Sequence, residues 1–526
     1  MNHRKVVLFG ADGRYLFVWA DVEARMKKNY NMHCMPMVVL LNLGEDALVV
    51  RRQGYEGVPQ NTGLPEWLTD GERGKVMRTL IKHGLIVDPA SHVHSKNNLL
   101  VEDGRIQGLT AEEPEADVIL DAEGMVVSPG FVDIHMHEDP YDPEEGRLIP
   151  SIMTSMLRMG VTTAIGGNCG INTVSPLRYL ELMDRDGGPI NMGLLAGHTF
   201  LREQAGHRDK YSAIRPDEQQ RLSRLVKEAL EAGCFGVSFG IRYVPGVTRD
   251  EMVKTACFCQ SHGRLVATHV RDDADNVFDA VEELVSIGRQ LDLPVQVSHV
   301  GSMGGFGQME RLLALIDRYR ASGMELSGDC YPYDAFSTRI GETTYDEGFL
   351  ERYCTQYSAI EICEGMYKGQ RCTERLFHEL RQTAPDTLTV CHVMKAEDVA
   401  LALSHPAIML ASDGLMDRGQ GHPRGAGAFP RLLCRYVAAG KMNLDDAVAK
   451  MSAMPAQKLG LTRKGTLRKG ADADIVIFDM DRIRDCATFE HPDRPPEGIE
   501  WVLIGGKIAV EHGTVKQSSL GRAIRA

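Results

Sequence analysis

Residues 131–140 read FVDIHMHEDP, an apolar run that ends in two histidines one residue apart. Side chains alternate faces along a strand, so His135 and His137 project to one side and Ile134 and Met136 to the other. Two imidazoles on one face at the end of a strand can hold one metal ion. The same spacing also suits paired surface histidines on a hairpin, and the neighbouring chain decides between the two readings. The run is apolar over Met125–His137 and opens a series of similar runs.

The further runs are Val161–Gly167, Asn191–Gly197, Phe235–Gly240, Leu265–Val270, Val295–Val300, Met324–Tyr331 and Ile408–Asp413, with Leu388–Val393 in an insertion between the last two. Amphipathic helical patterns separate them, as at Pro216–Glu231, Ala274–Gln290 and Gly307–Ser322. Strands alternating with helices predict parallel βα units, and eight of them predict an α/β fold closed into a (β/α)8 TIM-like barrel; an open doubly wound sheet is the alternative.

Active sites of such barrels sit at the C-terminal ends of the strands. His269 ends the fifth run and His299 the sixth, so they would meet His135 and His137 there. One buried histidine reads as well as a hydrogen-bonded core residue, but four at strand ends of one barrel do not. Asp413, in MLASDG, ends the last run; a helix cap is the alternative, and the following Gly414 and polar loop argue against it. Cys169, in GGNCGI, lies between glycines directly after the second run. Most buried cysteines are small hydrophobes, but a thiolate at this end of the barrel can ligate zinc at ~2.3 Å. Sulfur together with imidazole nitrogen favours zinc over magnesium or calcium.

Outside the barrel, MRTLIKHGLIV, NNLLVEDGRIQGL and DVILDAEG precede it, and ADADIVIFD and WVLIGGKIAV follow a helical stretch at Asn443–Leu459. Gly505-Gly506 is a hairpin signal, since both turn residues need positive φ. These segments predict a small β-sandwich domain built from both flanks. The expected division is 1–76 as an N-terminal module of unknown role, 77–125 as the first half of the sandwich, 126–460 as the barrel and 461–526 as the second half. The module carries strand-like KVVLFG, MVVLLNL and DALVVRR, then the Pro/Gly-rich stretch 57–74.

The 526 residues carry 59 basic and 72 acidic side chains, a net charge of −13, with 43% hydrophobic and 25% charged residues. This is the composition of an ordinary globular protein. The acidic balance argues against nucleic acid or an anionic membrane as partner, and no apolar run approaches the ~18 residues of a membrane span. Twelve scattered cysteines suggest reduced thiols rather than a disulfide framework. With no export signal legible at the start, a cytoplasmic location is expected.

VVSPGFVDIHMH, GGNCGI, GHTFLRE, GVSFGIRYVPG, VATHVRDD, VQVSH, ASDG, GHPRGAGAFPRLL and KGTLRKGADADIVIFD occur in this order. Over roughly residues 77–526 the chain resembles the amidohydrolase superfamily, specifically its N-acyl-D-amino-acid deacylase (D-aminoacylase) branch. Hydantoinases and dihydroorotases bridge metals with a carboxylated lysine, whereas this branch uses a cysteine, matched by Cys169. The resemblance implies a zinc site held tightly by Cys169, His269 and His299, and a second, weaker one formed by His135, His137, Cys169 and Asp413. It implies Asp413 as catalytic acid/base and Tyr243 as the group that meets the substrate and polarises its carbonyl. In the D-aminoacylases a lysine follows the sixth-strand histidine in an SHxK pattern and helps bind the substrate carboxylate. Here His299 is followed by Val300-Gly301-Ser302, which leaves Arg424 as the candidate cation.

The implied activity is zinc-dependent hydrolysis of a linear amide, with an N-acyl-D-amino acid as the small-molecule substrate. A homo-oligomer is an open expectation. The rivals are a cyclic amide hydrolase of hydantoinase or dihydropyrimidinase type, which Cys169 disfavours, and a metal-free scaffold, which would lack the ligands.

Overall fold

Eight parallel strands form the expected barrel: β1 (Phe131–Asp133), β2 (Val161–Gly166), β3 (Asn191–Leu194, resumed at Ala196–Gly197), β4 (Gly236–Gly240), β5 (Leu265–His269), β6 (Val295–Val297), β7 (Leu326–Cys330) and β8 (Ile408–Leu410). The computed structural model describes residues 76–417 and 419–526, together with the strands Val6–Phe9, Tyr15–Val18, Val39–Leu43 and Asp46–Val50.

Strand pairing runs in chain order from β1 to β8, and Leu195 N–H donates to Gly166 O at 2.9 Å where β3 is interrupted. The ring closes between β8 and β1 just beyond both strands, where Asp413 N–H donates to His135 O (2.8 Å) and His137 N–H to Gly414 O (2.9 Å). The barrel seam is therefore made by candidate site residues. Strands buried on both faces explain the continuous apolar runs; Val132, Ile165, Leu195, Leu265, Ala267 and Met409 share one buried cluster.

The helices between strands follow the 3.6-residue pattern. Pro216–Glu231 starts with proline, whose missing N–H costs nothing there, and Glu218 accepts from the Arg215 N–H at 3.0 Å. It buries Leu222, Val226 and Leu230, one face at four-residue spacing. The expected helices 274–290 and 307–322 are Val277–Leu291 and Met309–Ala321.

One expected strand is divided. The run Met125–His137 splits at Gly130: Val126–Pro129 pairs with Ile475–Phe478 in the flanking sheet, and Phe131–Asp133 enters the barrel. A Cβ at Gly130 would lie 2.3–2.9 Å from Thr162 side-chain atoms, so the crossing needs glycine. The flanking sheet thus extends to Pro129, past the expected boundary at 125. It has nine strands from both ends of the chain, and Ile106 N–H to Ala471 O (3.0 Å) and Ala473 N–H to Gly104 O (2.9 Å) draw it around a core that includes Leu99, Val101, Ile477 and Leu503. Gly505 and Gly506 both have positive φ in the hairpin between Ile499–Ile504 and Lys507–Glu511. The last residues leave this sheet and line the barrel, with Gly521 bridging Gly188 and Ala523 bridging Met192, a departure from the expected 461–526 sandwich segment.

Between β7 and β8 an insertion forms a three-stranded antiparallel sheet of Phe336–Arg339, Leu388–Cys391 and Ile360–Ile362. Among the described residues no helix is long and apolar enough to cross a membrane, and the described cysteines are unpaired.

Met1–Lys75 and Val76–Ala526 are separate units. In the first, four antiparallel strands run in the order Tyr15–Val18, Val6–Phe9, Val39–Leu43, Asp46–Val50. Three were expected; Tyr15–Val18 was not. The Pro/Gly-rich stretch 57–74 lies outside the described residues. Since the second unit closes its own barrel and sheet, deletion of residues 1–73 is expected to leave a folded, metal-binding protein by circular dichroism and metal analysis. An insoluble, metal-free truncation would mean that the module covers part of the core.

Candidate metal centre

His135, His137, Cys169, His269, His299 and Asp413 converge at the C-terminal end of the barrel, in two groups that share Cys169. In the first, His135, His137, Cys169 and Asp413 each bring a ligand atom within 4.8 Å of the others; in the second, Cys169, His269 and His299 do the same. Cys169 Sγ lies 3.4 Å from His135 Nε2 and 3.4 Å from His299 Nε2. Asp413 Oδ1 lies 3.1 Å from His137 Nε2 and 3.4 Å from His135 Nε2.

The outward nitrogens are fixed from behind. Asp329, buried on β7, accepts from His135 Nδ1 (3.1 Å), the His299 backbone N–H (2.8 Å) and Gln296 Nε2 (2.6 Å). Ser302 Oγ contacts His299 Nδ1 at 2.8 Å and donates to His299 O at 3.0 Å. Both imidazoles therefore turn Nε2 toward Cys169, the arrangement by which outer partners orient metal-binding histidines. Asp133 Oδ1 accepts from the His135 and Ser412 N–H groups, both at 3.1 Å, tying β1 to the end of β8. Burial raises the Asp133 pKa to about 7.

Three of the ten described non-glycine residues with positive φ belong to this site. Cys169, His299 and Asp413 have φ of 52°, 34° and 47°, a left-handed conformation that L-residues with side chains rarely adopt and that clusters at functional sites.

The donor set fits a zinc-class ion. Both ring nitrogens of His269 are buried without a hydrogen-bond partner, a costly state that a coordinated cation would relieve. Burial and the neighbouring His299 hold the His269 pKa down to about 4, so the ring is neutral as a ligand must be. Burial opposes ionisation of Cys169, but His135 and His299 outweigh it and hold the thiol well below its ordinary value. For Asp413, burial is likewise outweighed by Arg424 and then His135. Thiolate, imidazole and carboxylate are the ligands zinc takes.

A small cavity opens over these groups, lined by Tyr243, His269, His299, Asp413 and Arg424 among others. Tyr243 meets His269 edge-on, ring centres 4.6 Å apart, and burial followed by the Cys169 and Asp413 charges keeps its hydroxyl protonated well above the ordinary tyrosine range. Arg424, buried at the start of the helix Arg424–Leu432, reaches Asp413 Oδ2 with Nη2 at 2.9 Å and lies over the Tyr331 ring at 4.4 Å. Gly301, in the place of the SHxK lysine, faces away: a Cβ there would lie 2.8 Å from Cys330 Sγ.

The amidohydrolase family's models match residues 126–303 and 355–510. A D-aminoacylase of Alcaligenes xylosoxydans xylosoxydans is 31% identical over 465 residues, spanning 81% of this chain and 93% of the relative. This chain belongs to the amidohydrolase family, in its D-aminoacylase branch. It is a hydrolase of carbon–nitrogen bonds other than peptide bonds. An N-acyl-D-aspartate deacylase of the same organism is 32% identical over 473 residues, spanning 81% of this chain and 91% of the relative. The N-acyl-D-glutamate deacylase of Bordetella bronchiseptica, solved with zinc and a phosphonate mimic of the tetrahedral intermediate, matches with TM-score 0.75 and 31% identity over 85% of this chain and 99% of its own.

In this amidohydrolase, the sequence-predicted residues His135, His137, Cys169, Tyr243, His269, His299, Asp413 and Arg424 all lie at one barrel mouth. Sequence reasoning missed Asp329, Ser302 and His422. His422 accepts the Arg424 N–H on Nδ1 (3.0 Å) and donates from Nε2 to Ala335 O (3.1 Å), joining the arginine helix to the insertion. The one available signal was Asp329 itself, an acid inside the otherwise uncharged strand LSGDC.

Proposed function

We propose that this amidohydrolase removes the acyl group from N-acyl-D-amino acids, with zinc held by Cys169, His269 and His299 and a second, weaker position formed by His135, His137, Cys169 and Asp413. The observation that carries the reading is Cys169 Sγ at 3.4 Å from two imidazole nitrogens, with Asp413 and Arg424 paired in the same cavity. When bound, zinc supplies a Lewis acid that activates water at neutral pH.

The protein's own groups do the rest. Asp413, kept ionised by Arg424 and His135, takes the proton of the attacking water and returns it to the leaving nitrogen. Tyr243, kept protonated, donates toward the carbonyl oxygen as negative charge develops there. The bond between carbonyl carbon and nitrogen breaks, giving a carboxylate and a free amine.

Arg424 serves the substrate carboxylate, since an unpaired buried charge is very costly. Arg424→Met is expected to raise KM strongly for N-acyl amino acids, with bound zinc retained, while changing much less for a neutral amide of similar shape. Equal losses on both substrates would assign the arginine to Asp413 rather than to the substrate carboxylate. Cyclic amide hydrolysis is disfavoured because a cysteine, not a lysine, occupies the position common to both ligand groups.

A screen of N-acyl-D- and N-acyl-L-amino acids, scored for released amine, tests the function directly. Turnover of L-substrates only, or of cyclic amides only, would overturn it.

A further inference from the structure

Asp273 lies beyond His269 at the end of β5 and lines the same cavity as His269, His299, Asp413 and Arg424. It is 2% exposed, and the barrel chemistry above gives it no task. Its carboxylate is clamped from the insertion: Oδ2 accepts the Tyr353 O–H at 2.6 Å, and Arg352 Nε lies 3.0 Å from Oδ1. Arg352 is itself committed, donating from Nη2 to Thr344 O at 2.5 Å and lying over the Tyr353 ring at 4.8 Å. Arg352 is not among the described lining residues, so a bound molecule meets the carboxylate and the phenol before the guanidinium.

The same lining carries the hydroxyls of Ser337, Thr338 and Thr344, together with apolar Met303 and Phe336, whose ring lies 5.5 Å from that of Tyr353. Among the described lining residues Arg424 is the one arginine or lysine. The substrate's α-carboxylate would engage Arg424, which leaves no second cation for an acidic side chain, while a fixed buried carboxylate waits at the side-chain end. A second carboxylate brought beside Asp273 would repel it, with Arg352 already spent on the first.

We infer that Asp273 sets the side-chain preference of this enzyme, excluding acidic side chains and favouring neutral or cationic ones that can donate hydrogen bonds. The inference rests on the N-acyl-D-amino acid reading above. Such a preference would set this chain apart in substrate choice from the D-aspartate and D-glutamate deacylases, which match it as well as the D-aminoacylase does, at 31–32% identity.

The test compares kcat/KM for N-acetyl-D-glutamine and N-acetyl-D-glutamate, nearly isosteric substrates that differ in side-chain charge, at pH 8. The wild-type enzyme is expected to prefer the glutamine substrate by about 100-fold or more. In Asp273→Asn that ratio is expected to shrink by about 10-fold or more, mainly through a lower KM for the glutamate substrate. Equal rates or a glutamate preference in the wild type, or an unchanged ratio in a folded Asp273→Asn, would overturn the inference alone. If the variant does not fold, the wild-type ratio decides. Failure to hydrolyse either substrate or any other N-acyl-D-amino acid would overturn the functional reading together with it.

Discussion

Asp413→Asn is expected to lower kcat by at least about 10²–10⁴-fold, the contribution of a positioned acid/base group, while zinc remains bound through Cys169, His269 and His299. The substitution is close to isosteric, and asparagine tolerates the left-handed φ of 47° at this position better than most residues. What it cannot do is accept a proton and give it back. The alternative role, capping a helix, has no structural support: the next helix after Asp413 begins at Arg424. A cap would also be worth only about 1 kcal/mol of stability and nothing in rate. Steady-state kinetics with metal analysis separates the two. A zinc-loaded Asp413→Asn enzyme turning over near the wild-type rate would remove Asp413 from the proton path.

Cys169→Ala is expected to abolish bound zinc and activity together. Cys169 is the one residue common to both ligand groups, so its loss leaves neither intact. Weakening an outer-shell partner already costs a metal site about 10–100-fold in affinity, and removing a ligand costs more. Circular dichroism must accompany the assay, because alanine also leaves a gap where a buried side chain sat. Full zinc occupancy with normal turnover would reduce Cys169 to a packed thiol.

Much of this organisation was legible in the sequence because a barrel strand is buried on both sides and announces itself as an apolar run. Strand-end residues are likewise readable: His269 and His299 stand at run ends, and the fold places run ends together. What stayed hidden acts across long separations. Asp329 orients His135 from 194 positions away, and nothing local in LSGDC says which ring it will meet. The Arg424–Asp413 pair depends on a helix start that His422 fixes through the insertion. The split of Met125–His137 at Gly130 escaped detection because both halves are equally apolar; only the approach of Thr162 distinguishes them. Asp273 stands in VATHVRDD with nothing local to mark its task, since its meaning comes from Tyr353 and Arg352 in the insertion.

The left-handed backbone at Cys169, His299 and Asp413 bears on how this enzyme can be improved. Each such residue carries a conformational cost of order 1–3 kcal/mol, which glycine would relieve. Relief at any of these positions would come with a gap where a buried side chain sat, and each such exchange would delete a metal ligand or the proton carrier. Thermostabilisation has to be sought elsewhere, with these positions held fixed.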